Sequence, residues 1–124
     1  MTFFRKRLGR IGEDLACQHL QNNGYQILQR NYSNKIGEID IISKKGDCLV
    51  FVEVKTKTQD EFGSPLEMID LKKQRKLIKC IQYYFVENEL NEDNVDCRID
   101  AISVEVDYNG KLIHLEHIEN AVER

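Results

Sequence analysis

The sequence feature that most constrains this chain is an apolar run that ends in two charges, LVFVEVK at residues 49–55. Nearly continuous apolar runs of this length are typical of a central strand that is buried on both faces of a sheet. A buried carboxylate destabilises a fold unless another group compensates its charge. The charged pair Glu53 and Lys55 at the end of such a strand therefore points to a specific role.

The preceding run, GEIDII at residues 37–42, predicts a hairpin with this strand. With Gly46-Asp47 as the turn, Asp40 lies opposite Glu53, and Glu38 lies opposite Lys55. Lys45-Gly46 is the rival turn. Facing Cβ atoms in such pairs are roughly 5 Å apart, so the two carboxylates Asp40 and Glu53 would repel each other.

A divalent cation would remove this repulsion. Mg²⁺ prefers oxygen ligands, often one or two carboxylates together with water and phosphate oxygens. Asp40 and Glu53 supply that pair, while Lys55, on the same face as Glu53, can orient an attacking water or stabilise charge on a phosphate. This pattern predicts phosphodiester hydrolysis with Mg²⁺ or Mn²⁺. The alternative is a surface hairpin with weak cross-strand ion pairs, Glu38 with Lys55 in particular, and the spacing alone leaves both open.

The rest of the chain predicts one α/β domain over residues 1–124, with the element order α-β-β-β-α-β-β. A mixed sheet with helices on both faces is the expected architecture. Helical spacing covers residues 8–23, and residues 1–7 are expected to form a flexible basic arm. The predicted strands cover residues 25–32, 38–43, 48–55, 96–106 and 111–115. The remaining signals are a loop at 56–63, a helix start at Ser64-Pro65-Leu66-Glu67, a further helical start at Asp70 and a hairpin turn at Asn109-Gly110.

Charge is unevenly distributed along the chain, although the net charge is only −3. Residues 1–84 hold 15 Lys and Arg against 10 Asp and Glu, whereas residues 85–124 hold 3 against 11. This asymmetry permits a basic binding face, and an ordinary solvated surface explains it equally well. If the chain has a basic binding face, six basic residues are candidate nucleic-acid contacts: Arg10, Lys57, Lys72, Lys73, Arg75 and Lys76.

Other features exclude several protein classes. No apolar run of 18 residues is present, so we expect no membrane span, and the N-terminus lacks the apolar region of a signal peptide. A cytoplasmic protein is the resulting expectation. The four cysteines form no CxxC pair and are expected to be buried thiols. His114 and His117 form HxxH, but residues three apart on a strand face opposite sides, which disfavours a shared metal.

Several sequence blocks together resemble the YraN family of small bacterial proteins. These blocks are GRIGEDLA at 9–16, GY at 24–25, NY at 31–32, GEIDII, FVEVK at 51–55 and RID at 98–100. Asp40 followed by Glu53-Val54-Lys55 resembles the core of PD-(D/E)xK nucleases, which include restriction endonucleases and archaeal Holliday junction resolvases. The resemblance implies a restriction-endonuclease-like fold, a metal-dependent nuclease that cuts DNA, and a homodimer.

The resemblance also implies roles for single residues. Asp40 and Glu53 would bind Mg²⁺ or Mn²⁺, Lys55 would be the catalytic lysine, and Glu13 would be an additional acidic metal ligand. Glu38 would support a ligand or form an ion pair. Two positions depart from the pattern: Ile39 replaces the motif's proline, and Lys57 replaces an arginine, which loses bidentate geometry. A non-catalytic nucleic-acid-binding protein and a structural domain are the alternative functions.

Overall fold

The computed structural model describes residues 3–61, 67 and 69–123. Two helices and five strands follow one another in the predicted order, α-β-β-β-α-β-β. Their bounds are α1 Phe3–Asn22, β1 Gln26–Ser33, β2 Glu38–Lys45, β3 Cys48–Thr58, α2 Leu71–Glu87, β4 Cys97–Val106 and β5 Leu112–Val122. In the described part of the chain, no helix is long and apolar enough to span a membrane.

The five strands form one mixed sheet in the order β1-β2-β3-β4-β5. β3 and β4 pair in parallel, and the other neighbours pair antiparallel. A parallel pair needs a crossover connection, and the segment that contains α2 provides it. β3 is therefore the middle strand, and its residues Val50, Phe51 and Val52 are buried, as the apolar run predicts.

Each face of the sheet carries one helix and one apolar core. On one face, Leu77, Ile81 and Phe85 of α2 pack against a cluster that includes Phe51 of β3. On the other face, residues of α1 such as Leu20 pack with Val52 and other strand residues. This arrangement confirms the predicted mixed sheet with helices on both faces.

Both ends of the chain are more regular than predicted. Helix α1 begins at Phe3, so residues 3–7 are helical rather than a flexible arm, and Arg5 forms an ion pair with Glu61 at 2.7 Å. Strand β5 continues to Val122 because Val122 still pairs with Ile99 of β4. Strand β3 likewise extends to Thr58, so the predicted loop begins three residues later than expected.

The turns and helix starts are only partly as predicted. Asp70 caps α2, because its Oδ1 accepts the Lys73 N–H at 2.8 Å. The start signature at residues 64–66 lies outside the described residues. The β4–β5 turn is longer than two residues, since Val106 pairs with Leu112 and the Asp107 side chain accepts the N–H groups of Asn109 and Lys111.

A close contact between α1 and β3 fixes the height of α1 over the sheet. A Cβ atom placed on Gly12 would lie 1.7 Å from Thr56 Oγ1 and 2.7 Å from Thr56 Cβ. Gly9, one turn earlier in α1, has no atom within 4 Å of the same position. Only glycine at residue 12 therefore allows α1 to pack this closely, and this packing sets the position of Glu13.

We predict opposite effects of alanine at these two glycines. Gly12→Ala should lower the free energy of unfolding by about 1–3 kcal/mol, because α1 or Thr56 must move to accept the methyl group. The matched control Gly9→Ala should raise it by up to about 1 kcal/mol, because alanine is the better helix former and the site is open. Urea unfolding of the two variants measures both effects, and equal stability would contradict the close contact.

Candidate functional site

One cavity, of about 660 Å³, lies between β2, the later part of β3 and the first turns of α2. Four residues predicted from the hairpin line it, namely Glu38, Asp40, Glu53 and Lys55. Three basic residues of α2 line its other wall: Lys72, Lys73 and Lys76. The fold therefore collects the acidic hairpin residues and half of the predicted phosphate contacts around one space.

The hairpin register confirms the predicted Gly46-Asp47 turn. The observed pairs run from Lys45 with Cys48 to Ile41 with Val52. The regular ladder ends there, so Asp40 and Glu53 are not a backbone pair. Instead, Asp40 Oδ2 accepts the N–H of Val54 at 2.8 Å. This bond holds the Asp40 carboxylate against β3 just beyond the last pair of the β2–β3 ladder.

Strand β2 is also irregular at Asp40. Ile39 packs in the α2-side core and Ile41 in the α1-side core, although residues two apart in a regular strand share a face. On the neighbouring strand, Asn31 has a φ of +53°, a conformation that asparagine tolerates better than most residues. The irregularity places Asp40 between acidic side chains from both faces of the sheet.

Glu13 approaches Asp40 from the α1 side. With the Asn31 amide nitrogen facing Glu13, Nδ2 donates to both carboxylate oxygens at 3.1 and 3.2 Å. Arg30 lies 3.7 Å from the same carboxylate. Burial, followed by the charge of Asp40, raises the pKa of Glu13 above its ordinary value. The charge of Asp40 therefore affects the protonation of Glu13, but within the described residues Glu13 is not part of the cavity wall.

The two central carboxylates are in an unfavourable environment for negative charge. Glu53 is only 6% exposed, and burial together with the charge of Asp40 raises its pKa to about 7. Burial also raises the pKa of Asp40, although the Val54 N–H and the charge of Lys73 oppose this shift. Lys73 Nζ lies 3.1 Å from Glu53 Oε2 and is the closest compensating charge that Glu53 has among the described ion pairs.

The basic residues divide into two groups. Lys55 is exposed and lines the cavity beyond Glu53, as the alternation along β3 predicts. Arg10 and Arg75 are exposed on their helices, and Lys57 lies on β3, but in the described part of the chain none of these three lines the cavity. Gln74, between Lys73 and Arg75 on α2, donates its side-chain N–H to the Ile69 carbonyl at 3.1 Å.

The pair of carboxylates fits Mg²⁺ as a two-ligand site. Across residues 3–61, 67 and 69–123, no group of three or more His, Cys, Asp and Glu side chains is arranged to hold a metal. Mg²⁺ commonly takes only one or two protein carboxylates and keeps several waters or phosphate oxygens. Two carboxylates such as Asp40 and Glu53 are enough for a site of this kind, and their role as metal ligands stays a prediction. Glu13 is engaged by Asn31 and Arg30, and its role as a ligand also stays a prediction.

A second charged cluster lies around the buried Asp100. Its carboxylate accepts two bonds from Arg98 at 3.0 and 3.2 Å, a bond from the Asn120 N–H at 2.9 Å and a 2.8 Å contact with His117 Nε2. Burial raises the pKa of Asp100, but the bonds from His117 and Arg98 outweigh it and hold the pKa below its ordinary value. Arg98 and Asp100 of the RID block therefore form a structural ion pair.

Two features of the site were missed by sequence reasoning. The NY block carried no predicted role for Asn31, and only its backbone conformation shows why its amide reaches Glu13. His19 Nε2 lies 3.1 Å from His117 Nδ1, which extends the Asp100 cluster to α1. These histidines are 98 residues apart in the chain, so no local pattern predicts their contact.

Comparisons with known proteins place the chain in a family. The model of the uncharacterised protein family UPF0102 matches residues 12–104. The chain belongs to this family. Its relatives include UPF0102 proteins of Alkaliphilus oremlandii, 44% identical over 94% of this chain and 97% of that protein, and of Desulforamulus reducens, 39% identical over 98% and 100%. This confirms the YraN resemblance, since UPF0102 and YraN denote one family.

Among solved structures, SfsA of Pyrococcus furiosus in complex with Ca²⁺ is a distant match. The two chains are 13% identical with a TM-score of 0.38, over 97% of this chain and 65% of that one. At this TM-score we draw no conclusion from the similarity.

The raised pKa of Glu53 predicts a distinct pH dependence of stability. Because the folded-state pKa of about 7 exceeds the ordinary 4.5, the charged form is disfavoured by folding. Stability should therefore fall as the pH rises from about 4.5 to about 7. Glu53→Gln should remove this loss and make the protein more stable than the wild type at pH 8, by roughly 1–3 kcal/mol.

Urea unfolding at pH 5 and pH 8 without divalent cations measures this difference. Glu116→Gln, at an exposed position of β5, is the matched control and should follow the wild type. A Glu53→Gln variant that is less stable than the wild type at pH 8 would contradict the strained carboxylate pair.

Proposed function

We propose that this protein is a divalent-metal-dependent nuclease that hydrolyses DNA phosphodiester bonds. The observation that supports this most strongly is the pair Asp40 and Glu53, held together against mutual repulsion in a cavity with Lys55. The finer expectation, action on branched DNA such as four-way junctions, rests on the resemblance to resolvases. The names of the UPF0102 relatives assign no activity.

The chemistry assigned to each residue follows from its position. A Mg²⁺ ion held by Asp40 and Glu53 would activate a water molecule and polarise a phosphate oxygen. Hydrolysis would join the water oxygen to phosphorus as one bridging P–O bond breaks; one water proton would end on the released sugar oxygen, and the other would stay on the new terminal phosphate or pass to solvent. Lys55, on the same cavity wall as Glu53, stabilises the charge that grows on the phosphate oxygens. Its exposed position lets it reach a phosphate that enters the cavity mouth.

The other residues bind and position. Lys72 and Lys76 line the α2 wall opposite the carboxylates, where their ammonium groups can neutralise phosphates beside the scissile bond. The Val54 N–H fixes one oxygen of Asp40 and leaves the other for a metal. Asn31 and Arg30 restrain Glu13 behind Asp40, which adds negative potential at the metal position.

A second candidate is a nucleic-acid-binding protein without catalytic activity on the same fold. One observation favours it: Lys73 already compensates Glu53 at 3.1 Å, so the site needs no metal to limit repulsion. On this alternative, DNA binding weakens steeply with salt, as for any binder that neutralises phosphates. Mg²⁺ or Mn²⁺ then produces no cleavage of any substrate.

Cleavage assays separate these two functions. We predict that the wild type with Mg²⁺ or Mn²⁺ cuts at least one of a set of labelled substrates: single-stranded, duplex, flap and four-way-junction DNA, and RNA. Asp40→Asn should lower the rate by at least about 100-fold, because activation of the water by the metal is lost. Asp47→Asn makes the same chemical change in the exposed turn of the same hairpin and should retain full activity.

Two results would contradict the proposal. Metal-dependent cleavage that persists equally in Asp40→Asn and Glu53→Gln would remove these residues from the site. Binding without cleavage of any substrate would support the second candidate.

A separate prediction concerns metal binding without any substrate. Mg²⁺ should raise the melting temperature of the wild type, because a ligand that binds only the folded state adds about 2.7 kcal/mol at 100 times its Kd. Asp40→Asn should lose the shift, and Asp47→Asn should keep it. Differential scanning calorimetry at pH 8 measures these shifts, and an equal shift in all three proteins would place the metal elsewhere.

A further inference from the structure

The ion pair between Lys73 and Glu53 joins two unequal partners. Lys73 Nζ lies 3.1 Å from Glu53 Oε2, where the side chain of Glu53 is 8% exposed and that of Lys73 is 47% exposed. The buried carboxylate is fixed in the middle of β3, whereas the ammonium reaches it from the open side of the cavity. The ammonium therefore occupies one of the two oxygens that Glu53 could offer to a metal.

The backbone of Lys73 is fixed, but its side chain has room to move. Its N–H donates to Oδ1 of Asp70 at 2.8 Å, which holds residue 73 in the first turn of α2. The ammonium, in contrast, sits on a flexible four-carbon stem. Lys72 and Lys76 line the same cavity of about 660 Å³, so an ammonium that leaves Glu53 joins a basic wall.

We propose that Lys73 is a tethered counter-ion, which occupies the carboxylate pair without a divalent cation and is displaced by that cation toward the phosphate-binding wall. This inference rests on the proposed metal-dependent function and assigns a regulatory role to a residue outside the Asp40, Glu53 and Lys55 set. Two cations at one carboxylate oxygen repel each other strongly in a poorly solvated site. Metal entry therefore requires Lys73 to leave.

Displacement links metal binding to DNA binding. Without metal, the charge of Lys73 is used by Glu53, and the cavity offers phosphates only the remaining lysines. With metal, the ion neutralises the carboxylates, and the freed ammonium adds one more phosphate contact. The metal-bound protein thus binds DNA more tightly than the metal-free protein, because its cavity offers phosphates one more ammonium group.

Metal affinity gives the first test. At pH 8.5, isothermal titration of Mg²⁺ into Lys73→Gln should show about fivefold tighter binding than the wild type, because the competing ammonium is gone. This pH lies above the pKa of about 7 of Glu53 in the wild type, and because loss of the Lys73 charge raises that pKa further, protonation of Glu53 in Lys73→Gln opposes the expected gain in affinity. Lys72→Gln removes a neighbouring cavity lysine that forms no ion pair with Glu53 among the described contacts, and its affinity should stay within about twofold. Lys73→Arg keeps the charge and should resemble the wild type.

DNA affinity gives the second test, with Ca²⁺ used to limit cleavage. With Ca²⁺ present, the plot of log DNA affinity against log salt concentration should be steeper for the wild type than for Lys73→Gln. The difference should correspond to about one phosphate contact. Lys73→Gln should bind DNA like the wild type without metal and more weakly with Ca²⁺. Lys72→Gln should bind more weakly under both conditions, since its charge is available to phosphates throughout.

The outcomes separate this inference from the function on which it rests. Equal Mg²⁺ affinity in the wild type, Lys73→Gln and Lys72→Gln would overturn the counter-ion role while leaving the metal site intact. Absence of Mg²⁺ binding to the wild type would overturn the metal-dependent function itself. Weaker DNA binding of Lys73→Gln without metal would also overturn the inference, because Lys73 would then contact phosphate from the start.

Discussion

The repulsion between Asp40 and Glu53 is the constraint on which the rest of the site depends. Folding places Glu53 in the middle of β3 and Asp40 on the neighbouring strand β2, where burial already disfavours their charges. Several contacts with surrounding groups make this tolerable, among them the Val54 N–H on Asp40, the Lys73 ammonium on Glu53, and the Asn31 amide on the nearby Glu13. These contacts leave both pKa values raised. The proposed divalent cation would reduce the repulsion between the two carboxylates further.

The fold around this pair gives it a fixed geometry and an open side. The parallel pairing of β3 with β4 places Glu53 deep in the sheet, and the α2 crossover brings the lysines over it. The Gly12 contact with Thr56 sets α1 close enough for Glu13 to act on Asp40 from behind. The Asp100 cluster binds β4 to β5 and, through His117 and His19, to α1. Buried and half-buried carboxylates therefore face exposed lysines across one cavity.

Sequence patterns predict the parts of this site that depend on local rules. The apolar run predicts the middle strand, the Gly46-Asp47 turn fixes the hairpin register, and Asp70 marks the helix start. The irregularity at Asp40 is not predictable in this way, because it depends on the backbone of Asn31 in another strand and on two separate cores. Lys73 contacts Glu53, which is 20 positions away in the chain, and His19 contacts His117, which is 98 positions away. No periodicity in the sequence encodes such pairs. The first helix starts earlier than predicted. Residues 3–7 have no clear apolar period from which a helix could be predicted, but Arg5 in this segment forms an ion pair with Glu61.

The central claim is that Asp40 and Glu53 are a strained pair relieved by a divalent cation, and the titration of Glu53 tests it most directly. Carbon-13 NMR of the labelled Glu53 carboxyl reports its protonation from pH 4 to pH 9, with and without saturating Mg²⁺. A strained carboxylate pair should give Glu53 a pKa of about 7 without metal, and a clear fall toward or below the ordinary range when Mg²⁺ is added. A Glu53 pKa at its ordinary value of 4.5 that Mg²⁺ leaves unchanged would contradict the central claim.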